Sequence, residues 1–150
     1  MRGALARLAK KGEDQAAEPP APDQVLWQLE QFTRRVVKKY GSGSTTAARA
    51  RMELSLQLGS MQRWDDAREL RQECFDCFRN GGGEEDPETL QTELSLAVAL
   101  AHTGRWSDAD AHLQHAAASS ALHLGPDHEV TRLARSRLDE FRRGRPDPGW

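Results

Sequence analysis

The chain has 150 residues, of which 37% are hydrophobic, 29% charged and 6% aromatic, and its formal net charge is -2. This length suits one domain, and the interspersed charges exclude the broad basic surface that nucleic-acid binding requires. No apolar run approaches the roughly 20 residues that cross a bilayer, so we expect no stable membrane insertion. Two cysteines are too few for a disulfide scaffold, and we expect a cytoplasmic protein.

The fold class follows from which apolar residues the chain uses. Ala and Leu dominate, whereas Val, Ile and aromatic residues are few. No segment alternates apolar and polar residues over the length of a strand. We therefore expect an all-α protein with closely packed helices.

The N-terminal segment, residues 1–22, has a basic part followed by an acidic, Pro-rich part. Met1 to Lys11 predicts a short helix that is marginal by itself; the alternative is a peptide that docks on an anionic membrane or a partner. We expect 1–22 to be flexible, 23–143 to form the helical domain, and 144–150 to be a flexible tail.

Helical periodicity then predicts six helices in order, over residues 23–40, 45–59, 64–80, 87–102, 106–122 and 128–143. Asp23 is the expected N-cap of the first helix. Its apolar stripe runs from Val25 to Val37 and includes Phe32. Asp86 followed by Pro87 is a strong start signal for the fourth helix.

The same helix-breaking and turn residues recur every 42 residues. Gly41, Gly83 and Gly125 are spaced at this interval, and Arg105-Trp106 falls on Arg63-Trp64. A helix pair cannot bury its apolar face alone, so such units stack in a line. Small residues are expected where the helices of a pair cross: Ser55, Ala67, Cys74, Ala97, Ala109 and Ala116.

These residues resemble the tetratricopeptide repeat family. The pattern of that family is carried by Glu93, Leu96, Ala97, Leu100, Gly104, Ala109 and Leu113, although Glu93 stands where an aromatic residue is usual. Arg51, Leu54, Ser55, Leu58 and Ala67 follow it less closely. The 42-residue period resembles the longer, kinesin-light-chain-like variety. The resemblance implies a short α-α superhelix with two full helix pairs and flanking helices.

The resemblance also implies a concave groove lined by the first helix of each pair. Eleven residues map to it: Arg49, Met52, Leu56, Ser60, Gln91, Leu94, Val98, His102, Leu133, Ser136 and Glu140. Its apolar centre favours a bound peptide or partner helix, unless other helices of the chain or a second copy cover it. We expect a Leu94→Glu change to abolish binding without lowering helicity.

Many members of the family bind a C-terminal carboxylate through asparagine and basic side chains in the groove. Glu53 and Ser95 stand at the asparagine-matching positions here, and Glu53 would repel a carboxylate. Arg49 and His102 could still contact acidic groups.

The predicted function is therefore a non-catalytic adaptor or regulatory scaffold for a protein partner, without a cofactor. A self-association module is the alternative, because two helix pairs are few for an independent stack. A metal-dependent enzyme would have to use Asp108, His112 and His115, which share a helix face. Cys74 and Cys77 form a C-x-x-C pair that lacks the further ligands of a zinc site.

Overall fold

A computed structural model describes residues 17–144 of the chain. These residues form six α-helices and no strand: α1 (Pro22–Tyr40), α2 (Thr45–Ser60), α3 (Trp64–Gly82), α4 (Pro87–His102), α5 (Trp106–His123) and α6 (Glu129–Arg142). The all-α prediction is confirmed. The predicted helix at Met1 to Lys11 and the tail after residue 144 lie outside the described residues.

The 42-residue period is visible in the backbone. Helices α2 and α4 each have 16 residues and begin at Thr45 and Pro87, which are 42 residues apart. Helices α3 and α5 begin at Trp64 and Trp106, at the same spacing. Each helix packs against the next, and α4 also contacts α6. The chain is therefore a stack of two helical hairpins flanked by α1 and α6.

Equivalent junctions repeat the same local chemistry. The residue before each first helix caps it through a side chain, which accepts a backbone N–H from Ala47, Glu88 or Val130; these caps are Ser44, Asp86 and His128. The glycine at the start of each junction has a positive φ: 92° at Gly41, 88° at Gly83 and 87° at Gly125. The start of α1 differs from expectation, because its N-cap is Ala21 and Asp23 lies inside the first turn.

The turns inside the two hairpins also correspond. Gly104 has a φ of 78°, and Gln62, 42 residues earlier, occupies the same left-handed region with a φ of 61°. Arg63 and Arg105 each donate their backbone N–H over 2.9 Å to a leucine carbonyl, that of Leu58 or Leu100. The first hairpin thus keeps the turn without its glycine.

The small side chains that were predicted at the helix crossings are buried. Ser55, Ala67, Cys74, Ala97, Ala109 and Ala116 are all 0% exposed. The largest apolar cluster centres on α4 and includes Leu96 and Leu100, together with Phe75 of α3, Leu113 of α5 and Val130 of α6. Helix α4 is therefore the central element of the stack.

One buried arginine connects the two hairpins. Arg71 of α3 is 4% exposed; its Nε donates to Ser55 Oγ at 3.2 Å and its Nη1 donates to the Ser95 carbonyl at 2.7 Å. Its guanidinium also lies 5.6 Å from the Trp64 ring. Burial lowers the pKa of Arg71 to about 10, so the side chain remains charged at neutral pH. Arg71 thereby bridges α2, α3 and α4.

Candidate functional site

A cleft of about 580 Å³ opens along α2, with α1 on one side and α4 on the other. We call it the α2 cleft. Its lining residues are Phe32, Val36, Thr46, Arg49, Ala50, Met52, Glu53, Leu56, Phe78, Glu88, Gln91, Thr92 and Ser95.

Accessible apolar surface lies at the α1 side of the cleft and on its floor. Phe32 of α1 and Leu56 of α2 are each 47% exposed, although both are large apolar side chains. Val36 and Ala50 lie below them and are buried. Concave surfaces of this kind gain free energy when an apolar side chain from a ligand covers them.

The opposite side of the cleft is polar and is tied to its floor by an ion pair. Arg49 of α2 donates from Nε and Nη2 to the two carboxylate oxygens of Glu88 on α4, at 2.7 and 2.9 Å. This bidentate contact from Arg49 lowers the pKa of Glu88 below its ordinary value. The Arg49 guanidinium also lies 6.0 Å from the Phe78 ring. The pair thus links α2 and α4 across the cleft.

Four of the eleven predicted groove residues meet in this cleft: Arg49, Met52, Leu56 and Gln91. Arg49, Leu56 and Gln91 are exposed, and Met52 is partly buried. Their role in partner binding remains a prediction.

Two residues predicted at the groove's apolar centre are core residues instead. Leu94 is 3% exposed and Val98 is 8% exposed. Both belong to the cluster that also contains Leu113 of α5 and Ala134 of α6. A Leu94→Glu change would place a charge in this core and damage the fold, so the expectation that it would spare helicity is corrected.

The remaining predicted groove residues lie away from the cleft lining. Ser60 is exposed at the end of α2, and His102 stacks on Trp64 with ring centroids 3.9 Å apart and planes 2° apart. On α6, Leu133 packs against the main core cluster, and Ser136 donates to Glu140 Oε1 at 3.1 Å. Helix α6, which was predicted to line the groove, thus contributes one residue to the core and two residues to a hydrogen bond on the surface.

Sequence reasoning missed the contribution of α1 to the cleft. Phe32 and Val36 are four residues apart and share one face of α1, but the sequence placed both on a single stripe with Leu26 and Leu29. Two faces are in fact present, because Leu26 packs with Leu58 and Ala67, whereas Phe32 faces the cleft. The apolar stripe on α1 is wide, and this width could have indicated that the helix has two apolar faces.

Glu93 is buried and contacts two histidines. It is 2% exposed; its Oε1 lies 2.9 Å from His112 Nδ1, and its Oε2 lies 2.9 Å from His115 Nδ1. Asp108 instead pairs with Arg105 at 3.3 Å. Within residues 17–144, no three His, Cys, Asp or Glu side chains are grouped as metal ligands. The predicted Asp108, His112 and His115 set is therefore not assembled, and the histidines connect α5 to α4.

The two cysteines differ in environment. Cys74 is buried at 0% exposure, and its Sγ donates to the Ala48 carbonyl at 3.2 Å. Burial raises the pKa of the Cys74 thiol to about 12. Cys77 is partly exposed, and both are free thiols. Cys74 therefore acts as a packing residue, as its position in the repeat predicts.

The helices of residues 17–144 include none with the length and apolar character needed to cross a membrane. The family model described as "Tetratricopeptide repeat" matches residues 46–121, just over half of the chain. The matched segment covers most of the two hairpins and contains the floor of the α2 cleft. A search of curated proteins gives no match to this chain.

Proposed function

Because the chain belongs to the tetratricopeptide repeat family, whose repeats generally mediate contacts between proteins, we propose that it is a non-catalytic adaptor or regulatory scaffold. Its partner, a peptide or a helix, binds in the α2 cleft. The observation that carries this proposal is the exposure of Phe32 and Leu56, each 47% exposed, beside a polar wall. Such a surface favours a ligand with an apolar anchor and polar flanks.

The proposed set of binding residues is smaller than the set that the sequence alone indicated. Arg49, Met52, Leu56 and Gln91 remain from that set, and Phe32 joins them from α1. We place the functional unit in residues 23–143, because α1 supplies one side of the cleft and α6 helps to bury α4. The 42-residue spacing of the helix starts supports the kinesin-light-chain-like variety of the family. A cytoplasmic location remains part of the proposal.

A matched pair of surface variants tests the proposal. Leu56→Glu places a charge in the cleft, whereas Leu122→Glu makes the same change at a leucine that is 78% exposed and outside the cleft. Both variants should fold, since neither residue is buried. Affinity capture with quantitative mass spectrometry should recover the same proteins with the wild type and Leu122→Glu, and lose them with Leu56→Glu. Equal recovery with both variants would contradict binding in the cleft.

Self-association is the second candidate, favoured by one specific observation. Trp27 on α1 is 59% exposed, and large aromatic side chains are enriched in protein interfaces. Light scattering of the wild type and of Trp27→Ser distinguishes the two functions. A dimer that Trp27→Ser dissociates would favour self-association, and a monomer at all concentrations would exclude it.

A further inference from the structure

The second half of α1 is strongly basic. Arg34, Arg35, Lys38 and Lys39 are all exposed, and the acidic residues of this helix, Asp23 and Glu30, precede them. Four cations within six residues repel one another and concentrate positive potential at this end of the helix.

These four cations have no carboxylate at ion-pair distance within residues 17–144, whereas surface arginines of the repeats do. Arg49 pairs with Glu88 at 2.7 Å, and Arg63 pairs with Asp66 at 2.8 Å. On α1, Lys39 Nζ lies 5.0 Å from the ring centroid of Tyr40, which is a cation-π contact. Within the described residues, the positive charge of α1 is therefore not neutralised by ion pairs, in contrast to that of Arg49 and Arg63.

Two of the cations lie on the helix face that borders the cleft. Arg35 and Lys39 each come three residues after a cleft-lining residue, Phe32 and Val36 respectively. Residues three apart are neighbours on a helix surface. Arg34 and Lys38 are two residues after Phe32 and Val36 and point to another side of the helix. The α1 edge of the cleft thus combines an exposed aromatic ring with two cations.

The floor and the far side of the cleft carry the opposite charge. Glu53 lines the floor and is exposed, and Glu88 lines the α4 side, where Arg49 neutralises it. Asp86, the N-cap of α4, adds a further carboxylate whose charge acts on Arg49. Negative charge on a ligand is consequently favoured toward α1 and disfavoured toward α4.

We propose that the partner of the α2 cleft is an acidic amphipathic protein segment, whose carboxylates face Arg35 and Lys39 and whose apolar side chain covers Phe32 and Leu56. This inference rests on the proposed function and specifies the chemistry of its ligand. The ligand carries its acidic residues on one side only, because the other side meets Glu53 and the acidic start of α4.

A protein segment fits the cleft better than a nucleic acid or a membrane surface. A phosphate backbone is charged along its whole length and would meet Glu53 and the acidic start of α4 as well as α1. An anionic bilayer is a flat surface that contacts exposed cations, and Phe32 and Leu56 line a cleft. An acidic peptide satisfies the cations and the concave apolar surface together.

A peptide-display selection on the purified protein tests the inference. A library of random 16-residue peptides is selected on the purified full chain and counter-selected on Leu56→Gln, which removes the apolar contact without adding a charge. Peptides that depend on Leu56 are then sequenced, and their affinities are measured by fluorescence anisotropy. Two charge-reversed variants serve as probes, Arg35→Glu/Lys39→Glu and the matched Arg34→Glu/Lys38→Glu, with circular dichroism as the check on folding.

We expect the selected peptides to be enriched in Asp and Glu beside at least one large apolar residue. Their affinity for the Arg35→Glu/Lys39→Glu variant should be about tenfold or more below that for the wild type, because the variant repels the carboxylates of the peptide. High salt should weaken binding to the wild type by a similar factor, because it screens the same charges. The Arg34→Glu/Lys38→Glu variant has the same net charge as the Arg35→Glu/Lys39→Glu variant. It should retain most of the affinity of the wild type, because its substitutions lie on another side of the helix.

The outcomes separate this inference from the proposed function. The selected Leu56-dependent peptides could be neutral or basic, or they could bind Arg35→Glu/Lys39→Glu with the same affinity as the wild type. Either result would overturn the inference that the ligand is acidic, and the cleft would still be the binding site. Failure to select any Leu56-dependent peptide would contradict the proposed function itself. Phosphatidylserine vesicles or single-stranded DNA that bind through Arg35 and Lys39, but are indifferent to Leu56→Gln, would assign the basic face to another class of partner.

Discussion

The carboxylate of Glu93 lies 2.9 Å from Nδ1 of His115, and it is almost fully buried between α4 and α5. His112 approaches the same group from one turn earlier, at 2.9 Å. Glu93 stands where an aromatic residue is usual in the tetratricopeptide pattern. A polar contact with two imidazole rings therefore replaces aromatic packing at this helix crossing.

Removal of both histidines should destabilise the protein strongly. The His112→Ala/His115→Ala variant leaves a buried carboxylate without these partners, and we expect it to lose about 3–5 kcal/mol of unfolding free energy. Adding Glu93→Leu should restore most of that loss, since an apolar side chain needs no partner. Urea denaturation followed by circular dichroism measures all three proteins. A triple variant no more stable than the double variant would contradict this role of Glu93.

The hairpin turn at Gly104 gives a test of backbone conformation alone. A Cβ atom at Gly104 would meet nothing within 4 Å, yet its φ of 78° is unfavourable for other residues. We expect Gly104→Ala to lower the unfolding free energy by about 1 kcal/mol. Gly43→Ala is the matched control, because that site is equally open and lacks a positive φ. Equal stability of the two variants in thermal melts would contradict the backbone strain that we expect from a non-glycine residue at position 104.

The two thiols should differ in reactivity. Burial raises the pKa of the Cys74 thiol to about 12, so at pH 8 this thiol is almost entirely in its unreactive protonated form. A colorimetric thiol reagent should label one cysteine of the native protein rapidly and the second only on unfolding. The rapid phase should persist in Cys74→Ser and disappear in Cys77→Ser. Rapid labelling of two thiols in the native wild type would show that the Cys74 site opens readily.

The Arg49–Glu88 pair should contribute a small stability that depends on pH. Because the folded pKa of Glu88 is below its ordinary value of 4.5, the contribution is present above pH 4.5 and is lost as the pH falls through the lower folded pKa. Arg49→Met should therefore melt at a slightly lower temperature than the wild type near neutral pH. The effect is small because both side chains are partly exposed, at 60% and 40%.

The pH series itself is the control for this pair. The difference between the wild type and Arg49→Met should shrink below pH 4.5, and Glu88→Gln should show the same convergence. A difference that is constant down to pH 2 would assign the effect of Arg49 to its contact with the Phe78 ring, which does not depend on carboxylate ionisation.

The sequence predicted the helices well because the repeat marks them more than once. Gly41, Gly83 and Gly125 break the chain at equal intervals, and capping residues follow each of them. A signal that is weak in one unit, such as Gln62 in place of glycine, is supported by Gly104 in the next. The helix starts are correct to within one residue.

The site was harder to predict because periodicity does not reveal which helix covers which face. Leu94 and Val98 occupy first-helix positions equivalent to Met52 and Leu56, yet they are buried with residues of α5 and α6. Leu56 remains 47% exposed and borders the cleft beside Phe32 of α1. The two ends of a short stack are therefore not equivalent, although their sequences align.

Arg71 has a consequence for how the molecule unfolds. In a stack of repeats, stability is a sum of the terms within each unit and the terms between neighbours, so weakly coupled units can unfold one at a time. Here the guanidinium bonds Ser55 in its own hairpin and the Ser95 carbonyl in the next. Separating the hairpins would leave a charged group without one of its acceptors. We therefore expect the two repeats to unfold together, with amide protons of α2 and α4 exchanging through the same opening event.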